Sequence, residues 1–287
     1  MNNILLKDYT SFKIGGPAKY FFKVRTREDL IKKIQMAKEL NLPFFILGGG
    51  SNLLVSDKGY KGIVIKMENP SANCQINLKK DKIIVEAGVK LGDVVKLSLK
   101  EGLTGLEWAA GIPGTVGGAV RGSIEAFEKS ISNIIESIEV LKVPELEIKN
   151  YKAKDCNFNY KESIFKKDKN LIILSCIFKL KKGDKKEIKN KIEYFLNYRK
   201  KNHPLDFPSA GSIFKNPKNK KAWELIKECG LEGRRIGDAQ ISEKHSNFII
   251  NLGKASSKDI LDLINLVKKQ VKKKLGIKLE EEIFYLE

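Results

Sequence analysis

The chain is poor in the residues that build metal sites and disulfide frameworks. It has two histidines, His203 and His245, and four cysteines, Cys74, Cys156, Cys176 and Cys229, none in a C-x-x-C pair. This argues against zinc or any other bound metal and against a disulfide scaffold, and leaves four reduced thiols in or near cores. No run of 18 apolar residues occurs, so no segment reads as a transmembrane helix. The start, MNNILLKDYTSFKIGG, has no basic stretch followed by a long apolar one. No signal peptide is read there, and a cytoplasmic protein is expected. Nothing in the sequence sets an oligomeric state beyond the default expectation of a monomer.

Arginine is scarce too: six arginines stand against 48 lysines in a chain of net charge +19. Nucleic-acid surfaces concentrate basic groups and use the arginine fork on phosphate. Here the lysines are spread along the whole length, so neither nucleic acid nor membrane is expected as a partner. A diffuse positive field still attracts polyanionic small ligands such as nucleotides.

What is present is enough chain for two cores: 287 residues, 42% of them hydrophobic. TREDLIKKIQMAKELNLP predicts a helix capped by Thr26, with Leu30, Ile34, Ala37 and Leu40 on one face. FFILGGGSNLLVSD predicts a buried strand, a glycine turn and a second apolar stretch. YKGIVIKM and DKIIVEAGVKLG read as strands, and LGDVVKLSLKEG as a helix ending at Gly102. AAGIPGTVGGAVRG is too sparse in side chains to predict an ordinary helix or strand. Residues 131–181 read mostly as strand. KEIKNKIEYFLNYRKKNHP is a helix whose charged end and Pro204 mark a boundary near 195–205. KAWELIKECG and SSKDILDLINLVKKQVKKKLG are helices, the second with Ile260, Ile264, Val267, Val271 and Leu275 in register. IKLEEEIFYLE reads as a closing strand. Strands and helices interleave without strict alternation, which predicts an α+β fold with a larger N-terminal and a smaller C-terminal part.

Two stretches ask the backbone to approach something closely. In Gly48-Gly49-Gly50-Ser51-Asn52, three glycines can turn several N–H groups to one point, and Ser51 and Asn52 add side-chain donors. A pyrophosphate cradle is one reading, a plain turn the other. In Gly111-Ile112-Pro113-Gly114-Thr115-Val116-Gly117-Gly118, side chains are missing at successive positions. A flat ligand against the backbone, or a close crossing of chain segments, would need this. Two such loops in one domain point to a large dinucleotide.

YTSFKIGGPAKYFFKV, ILGGGSNLLVSD, GLEWAAGIPGTVGGAV, YKESIFK, PSAGSIFKNP and GDAQISEKHSNFIIN follow in that order. Through them the chain resembles the UDP-N-acetylenolpyruvoylglucosamine reductases over almost its full length, in the shorter form that lacks an inserted tyrosine-bearing loop. The resemblance implies a two-lobed, non-covalent FAD-binding part of the vanillyl-alcohol-oxidase type over residues 1–195, with lobes of about 1–65 and 66–195. A substrate domain over 196–287 would follow, its last strand a candidate to pack back on the first lobe. It also implies the activity. NADPH reduces the flavin, and the flavin N5 passes hydride to the enolpyruvyl group of a UDP-sugar, giving UDP-N-acetylmuramate for peptidoglycan synthesis. Ser212 matches the proton donor, Glu282 the acid, and Lys161 the arginine that steadies the enolate-like intermediate. The two glycine loops fall at the FAD, and Tyr160, Lys215, Asn216 and Gln240 at the sugar nucleotide.

Hydride addition beside a carboxylate builds negative charge there, and a proton must reach the adjacent carbon. A serine beside a glycine is otherwise a turn residue, and Lys215 is a candidate to steady its alkoxide. If 277–287 is a strand, Glu280 and Glu282 share one face, opposite Ile277, Leu279, Ile283 and Tyr285. Three departures from the family pattern stand out. Lys161 keeps the arginine's charge but not its fork. Ser123, Ile124 and Glu125 replace a small-residue turn. His203 stands where glutamine is common and is read as a helix-end residue. The competing readings are a non-catalytic relative that binds a sugar nucleotide or a partner, and another flavin oxidoreductase of the same fold.

Overall fold

The computed structural model describes residues 2–68, 74–77 and 81–287. In chain order its main elements are β1 (Asn2–Leu5), β2 (Pro17–Val24), α1 (Arg27–Glu39), β3 (Phe44–Leu47), β4 (Leu53–Val55), β5 (Tyr60–Met67), β6 (Cys74–Asn77), β7 (Lys82–Glu86) and α2 (Leu91–Lys100). There follow α3 (Val116–Arg121), β8 (Ile135–Lys142), β9 (Glu147–Lys152), β10 (Leu171–Lys179) and α4 (Lys185–Asn202). The last part holds β11 (Ser209–Ser212), α5 (Ala222–Glu228), β12 (Arg235–Ile236), β13 (Ala239–Ile241), β14 (Phe248–Asn251), α6 (Ser257–Leu275) and β15 (Phe284–Leu286). The mixture of helices and antiparallel sheets is α+β.

The chain folds as two compact units. A central unit comprises Phe22–Gly49 and Ile65–Tyr198, and a terminal unit comprises Met1–Phe21, Gly50–Val64 and Arg199–Glu287. The segments 1–195 and 196–287 read from the sequence are contiguous, whereas these units are composite. In the terminal unit β15 pairs in parallel with β4, Phe284 opposite Leu53 and Leu286 opposite Val55.

The central unit is built on a five-stranded antiparallel sheet in the order β9-β8-β10-β7-β6. Ile83, Val85, Ile138, Val140 and Phe178 come from its strands, and Leu91, Val94 and Val95 from α2; all are buried in one cluster. Fully burying each such side chain stabilises the fold by about 1.5–3 kcal/mol. In α1 the Thr26 hydroxyl accepts from the Asp29 N–H at 3.1 Å, and Leu30, Ile34 and Ala37 are buried. Leu40 is not part of that face. The helix ends at Glu39, so Leu40 is the C-cap and lies 46% exposed.

The glycine-dense stretch does contain a helix, contrary to the sequence reading. Thr115 caps α3, its hydroxyl accepting from the Gly118 N–H, and Val116, Ala119 and Val120 bury one face. A cap and three apolar residues at helical spacing outweigh two interior glycines.

The terminal unit carries a four-stranded antiparallel sheet, β11-β14-β13-β12. Against it packs α6, which buries Ile260, Leu263, Ile264, Val267 and Val271. Ser256 and Asp259 form its capping box, and Gly276 closes it at φ +69°. The closing strand is shorter than the sequence predicts: only Phe284–Leu286 is regular. Residues 277–283 still place Leu279 in the core and pack Ile277 and Ile283 against it. They are held by single backbone bonds to the chain after Ser212 rather than by a ladder.

Candidate active site

The two glycine loops meet inside the central unit. A Cβ on Gly48 would lie 2.5 Å from the Thr115 hydroxyl oxygen, and one on Gly49 would lie 2.5 Å from the Gly114 Cα. Both readings of the loops therefore have a physical basis: the glycines permit a close backbone crossing, and that crossing brings bare main chain from two loops together. Gly49, Gly111 and Gly118 are exposed there. Gly117 serves packing, since its Cβ would come 2.7 Å from the Ala87 Cβ. Behind the crossing, the Lys66 ammonium donates to the Gly48 carbonyl at 3.0 Å. Burial holds its pKa below the ordinary lysine value, and Lys23 and Lys90 add to the effect. Unhindered backbone from two loops with a lysine charge at the crossing suits the diphosphate of a dinucleotide such as FAD.

In the terminal unit, Gly50 takes φ +64°, and a Cβ there would sit 2.0 Å from the Tyr9 carbonyl oxygen. Asn52 does not simply point away as a free donor. Its Nδ2 donates to the Glu282 carbonyl at 3.0 Å, and its own carbonyl accepts from the Phe284 N–H.

Ser212 ends β11. Between Ser209 and Ser212 the strand carries a bulge: two residues there, Ala210 and Gly211, lie opposite the one, Ile249, that separates Ile250 from Phe248 on β14. Gly211 sits in that bulge at φ +77°, with nothing within 4 Å of a built Cβ. The glycine is thus required for its backbone conformation, not for room. Such a bulge re-aims the next side chain. After Ser212 the chain is handed to the C-terminal segment: the Glu282 N–H donates to the Ile213 carbonyl at 2.7 Å, and the Lys215 N–H to the Glu280 carbonyl at 2.8 Å. The structure therefore brings the backbone of Glu282 next to Ser212. Of the two glutamates, Glu280 is exposed and faces the Lys215 ammonium at 3.6 Å, whereas Glu282 is half-buried. Asn216 accepts the Ala222 N–H through its side chain, and Gln240 donates to the Gly233 carbonyl.

In the central unit, Tyr160 and Lys161 form the tip of a tight turn closed by mutual N–H to carbonyl bonds between Asn159 and Glu162, each 3.0 Å. Lys161 is left-handed at φ +58°, uncommon for a residue with a long side chain. The Lys166 ammonium donates to its carbonyl at 3.0 Å. Beside the turn lies an open depression of about 690 Å³, whose walls include Lys154, Asn157, Asn159, Glu162 and Lys167.

The departures after α3 are structural as well as chemical. Ser123 is wholly buried at φ +44°, and its hydroxyl has no hydrogen-bond partner among the described residues. Ile124 packs on the central core. At the tip of the following hairpin Phe127 and Glu128 both take positive φ, where Asn-Gly would be usual. Phe127 packs against Phe195 and Tyr198, ring centroids 4.6 and 5.0 Å away.

His203 lies edge-to-face on His245, centroids 5.5 Å apart, and packs on Phe248. Burial pushes its pKa down to about 4, and His245, Arg199 and Lys244 push the same way. Unfolded, it titrates near 6.5. Between those values the unfolded chain holds a proton that the folded chain refuses, so this contribution is complete above pH 6.5 and is lost as pH falls towards 4. Allowing for its partial exposure, the loss is on the order of 2 kcal/mol. His203→Gln should flatten the acid limb of stability measured by urea unfolding between about pH 7 and 4.5. An unchanged slope would show that other groups set it.

Sequence reasoning passed over Lys66 and Asn247. A lysine late in the apolar run of YKGIVIKM was a signal for the first. An asparagine directly before the apolar FII was the signal for the second.

Comparison with known proteins places the chain in a family. Residues 18–146 match the FAD binding domain family, and residues 203–286 match the family described as UDP-N-acetylenolpyruvoylglucosamine reductase, C-terminal domain. The protein of that name from Clostridium novyi (strain NT) is 45% identical over 282 residues, 98% of this chain and 90% of the relative. That from Clostridium tetani (strain Massachusetts / E88) is 42% identical, covering 99% and 91%. The chain belongs to the UDP-N-acetylenolpyruvoylglucosamine reductase family. The crystal structure of the Thermus caldophilus member, MurB, superposes with a TM-score of 0.84 at 36% identity, over 100% of this chain and 98% of that one. The FAD binding domain takes in both glycine loops, and the C-terminal domain takes in Ser212 and Glu282. Among the described residues no helix is long and apolar enough to cross a membrane, and no cluster could hold a metal ion.

Proposed function

We propose that this protein reduces the enolpyruvyl ether of UDP-N-acetylglucosamine enolpyruvate to the lactyl ether, giving UDP-N-acetylmuramate, with NADPH as reductant and FAD as cofactor. The observation that carries the reading is full-length identity of 40–45% to proteins named for this reductase. Ser212 on its glycine bulge, with the Glu282 main chain beside it, adds chemical support. Its reagents, a nicotinamide nucleotide and a sugar nucleotide, favour a cytoplasmic enzyme.

Bound FAD supplies the hydride. Gly48–Asn52 and Gly111–Gly118 would hold its diphosphate, the N–H groups of Ile112, Val116 and Gly117 being already donated to the Ala109, Val89 and Ala87 carbonyls. Addition to the terminal alkene carbon places an electron pair on the neighbouring carbon, delocalised into the substrate carboxylate. Lys161 and Glu282 stabilise that charge, Glu282 as an acid, and Lys161 as a single charge in place of a bidentate fork. The Ser212 hydroxyl gives its proton to the carbon, and the alkoxide is steadied by Lys215 until solvent reprotonates it. Tyr160, Asn216 and Gln240 contact the sugar nucleotide. A nucleophilic role for Ser212 would call for a histidine base, whereas the only two histidines in the sequence pack against each other.

The purified protein should be yellow and release flavin on heat denaturation, and NADPH oxidation should depend on the enolpyruvyl sugar nucleotide. A colourless protein that takes up no FAD would overturn the enzymatic reading in favour of a non-catalytic relative.

A further inference from the structure

Ser212 owes its place to residues on either side, and one of them, Asn247, is given no role by the sequence reading. Asn247 is 4% exposed. Its main-chain carbonyl accepts the Ile213 N–H at 2.8 Å. Its side-chain oxygen accepts the Phe214 N–H at 3.0 Å, and its side-chain nitrogen donates to the Phe214 carbonyl at 2.9 Å. One residue thus makes three bonds to the two residues that follow Ser212. The carboxamide imitates a strand neighbour, matching both the donor and the acceptor of one backbone residue. It does so where β11 has left β14 and the chain has not yet joined a regular ladder. Phe214 meets Glu281 only through an isolated bridge, and the Ile213 carbonyl accepts from Glu282. Ile213 and Phe214 are 0% and 2% exposed, so water is poorly placed to substitute for the lost partner.

We infer that Asn247 is a positioning residue for proton delivery, holding the Ser212–Phe214 segment in register with Glu282. This rests on the proposed reductase reading. A buried carboxamide is otherwise a fold-stabilising group, so the distinction must come from which half-reaction responds. A misplacement of about 1 Å at a reacting group can slow a step on the order of 100-fold. The flavin's reduction by NADPH needs no proton from Ser212.

Asn247→Asp keeps the acceptor for the Phe214 N–H and sets a second carboxylate oxygen against the Phe214 carbonyl. Asn247→Ala removes both bonds. Anaerobic stopped-flow on the FAD-loaded variants separates flavin reduction by NADPH from flavin reoxidation by the enolpyruvyl sugar nucleotide. The first rate should stay within about twofold of wild type, and the second should fall about 10- to 100-fold. Protonating the introduced carboxyl restores an O–H donor towards the Phe214 carbonyl. In Asn247→Asp, therefore, the reoxidation rate relative to wild type should recover as pH is lowered from about 8 to 5.5. If reoxidation is unchanged in a folded variant, or both half-reactions fall together, the inference is overturned. If neither variant retains its flavin, Asn247 is a structural residue and the inference is likewise overturned. If the wild type itself is not reoxidised by the sugar nucleotide, it is the reductase reading that fails.

Discussion

Replacing Ser212 with alanine is expected to leave flavin reduction by NADPH within about twofold of wild type and to slow product formation by about 10²–10⁴-fold, the usual worth of a positioned general acid. The change removes one hydroxyl from the end of a strand whose shape is set elsewhere. Gly211 keeps the bulge, and the bonds from Asn247 and Glu282 to Ile213 involve no atom of the Ser212 side chain. A fall in activity would therefore report lost proton delivery rather than a lost fold. Flavin content and thermal midpoint should match wild type. If both half-reactions survive at normal rates, another group supplies the proton and the role given to Ser212 is wrong.

Gly49→Ala and Gly118→Ala are expected to act in opposite ways on stability and in the same way on the cofactor. At Gly49 the added methyl would lie 2.5 Å from the Gly114 Cα, so the two loops must part. Overpacking against backbone destabilises by about 1–3 kcal/mol, and the separated loops should lose at least tenfold in FAD affinity. At Gly118 the nearest atom to a built Cβ is the Thr115 hydroxyl oxygen at 3.5 Å, an ordinary contact. There alanine should gain about 0.5–1 kcal/mol of helix stability in α3. Because Gly118 is exposed at the crossing, its methyl should still weaken FAD binding. Flavin absorbance after purification and the shift in melting temperature with added FAD separate the two effects. Unaltered FAD affinity in Gly118→Ala would remove that position from the cofactor surface.

The sequence carried the local features well, because they depend on neighbours in the chain. The Thr26 cap, the apolar face of α6, the helix stop at Gly276 and both glycine loops are readable from spacing and side-chain type. The same logic failed where a local rule was overridden. Two glycines argued against a helix at Val116–Arg121, yet the Thr115 cap and a buried face formed one. Three consecutive glutamates continued a strand on paper, while in the fold residues 277–283 are fastened one bond at a time. Lys161 could be seen to differ from an arginine. Its left-handed backbone could not be seen, since that is imposed by the two-residue turn between Asn159 and Glu162.

By itself, then, the sequence offered candidates for the chemistry: two glycine loops for a dinucleotide and, through the family resemblance, one hydroxyl, one late glutamate and a lysine. The loops are legible from residue type and short-range order, the other three from the motifs around them. Tertiary structure decided which of them meet. Ser212 and Glu282 become neighbours because β15 returns to β4, and Asn52 grips the Glu282 carbonyl across 230 residues of chain. Gly49 finds Gly114, and Asn247 finds Phe214, for the same reason. Buried backbone N–H and carbonyl groups must all be paired, and only the folded chain shows which distant partner satisfies each one.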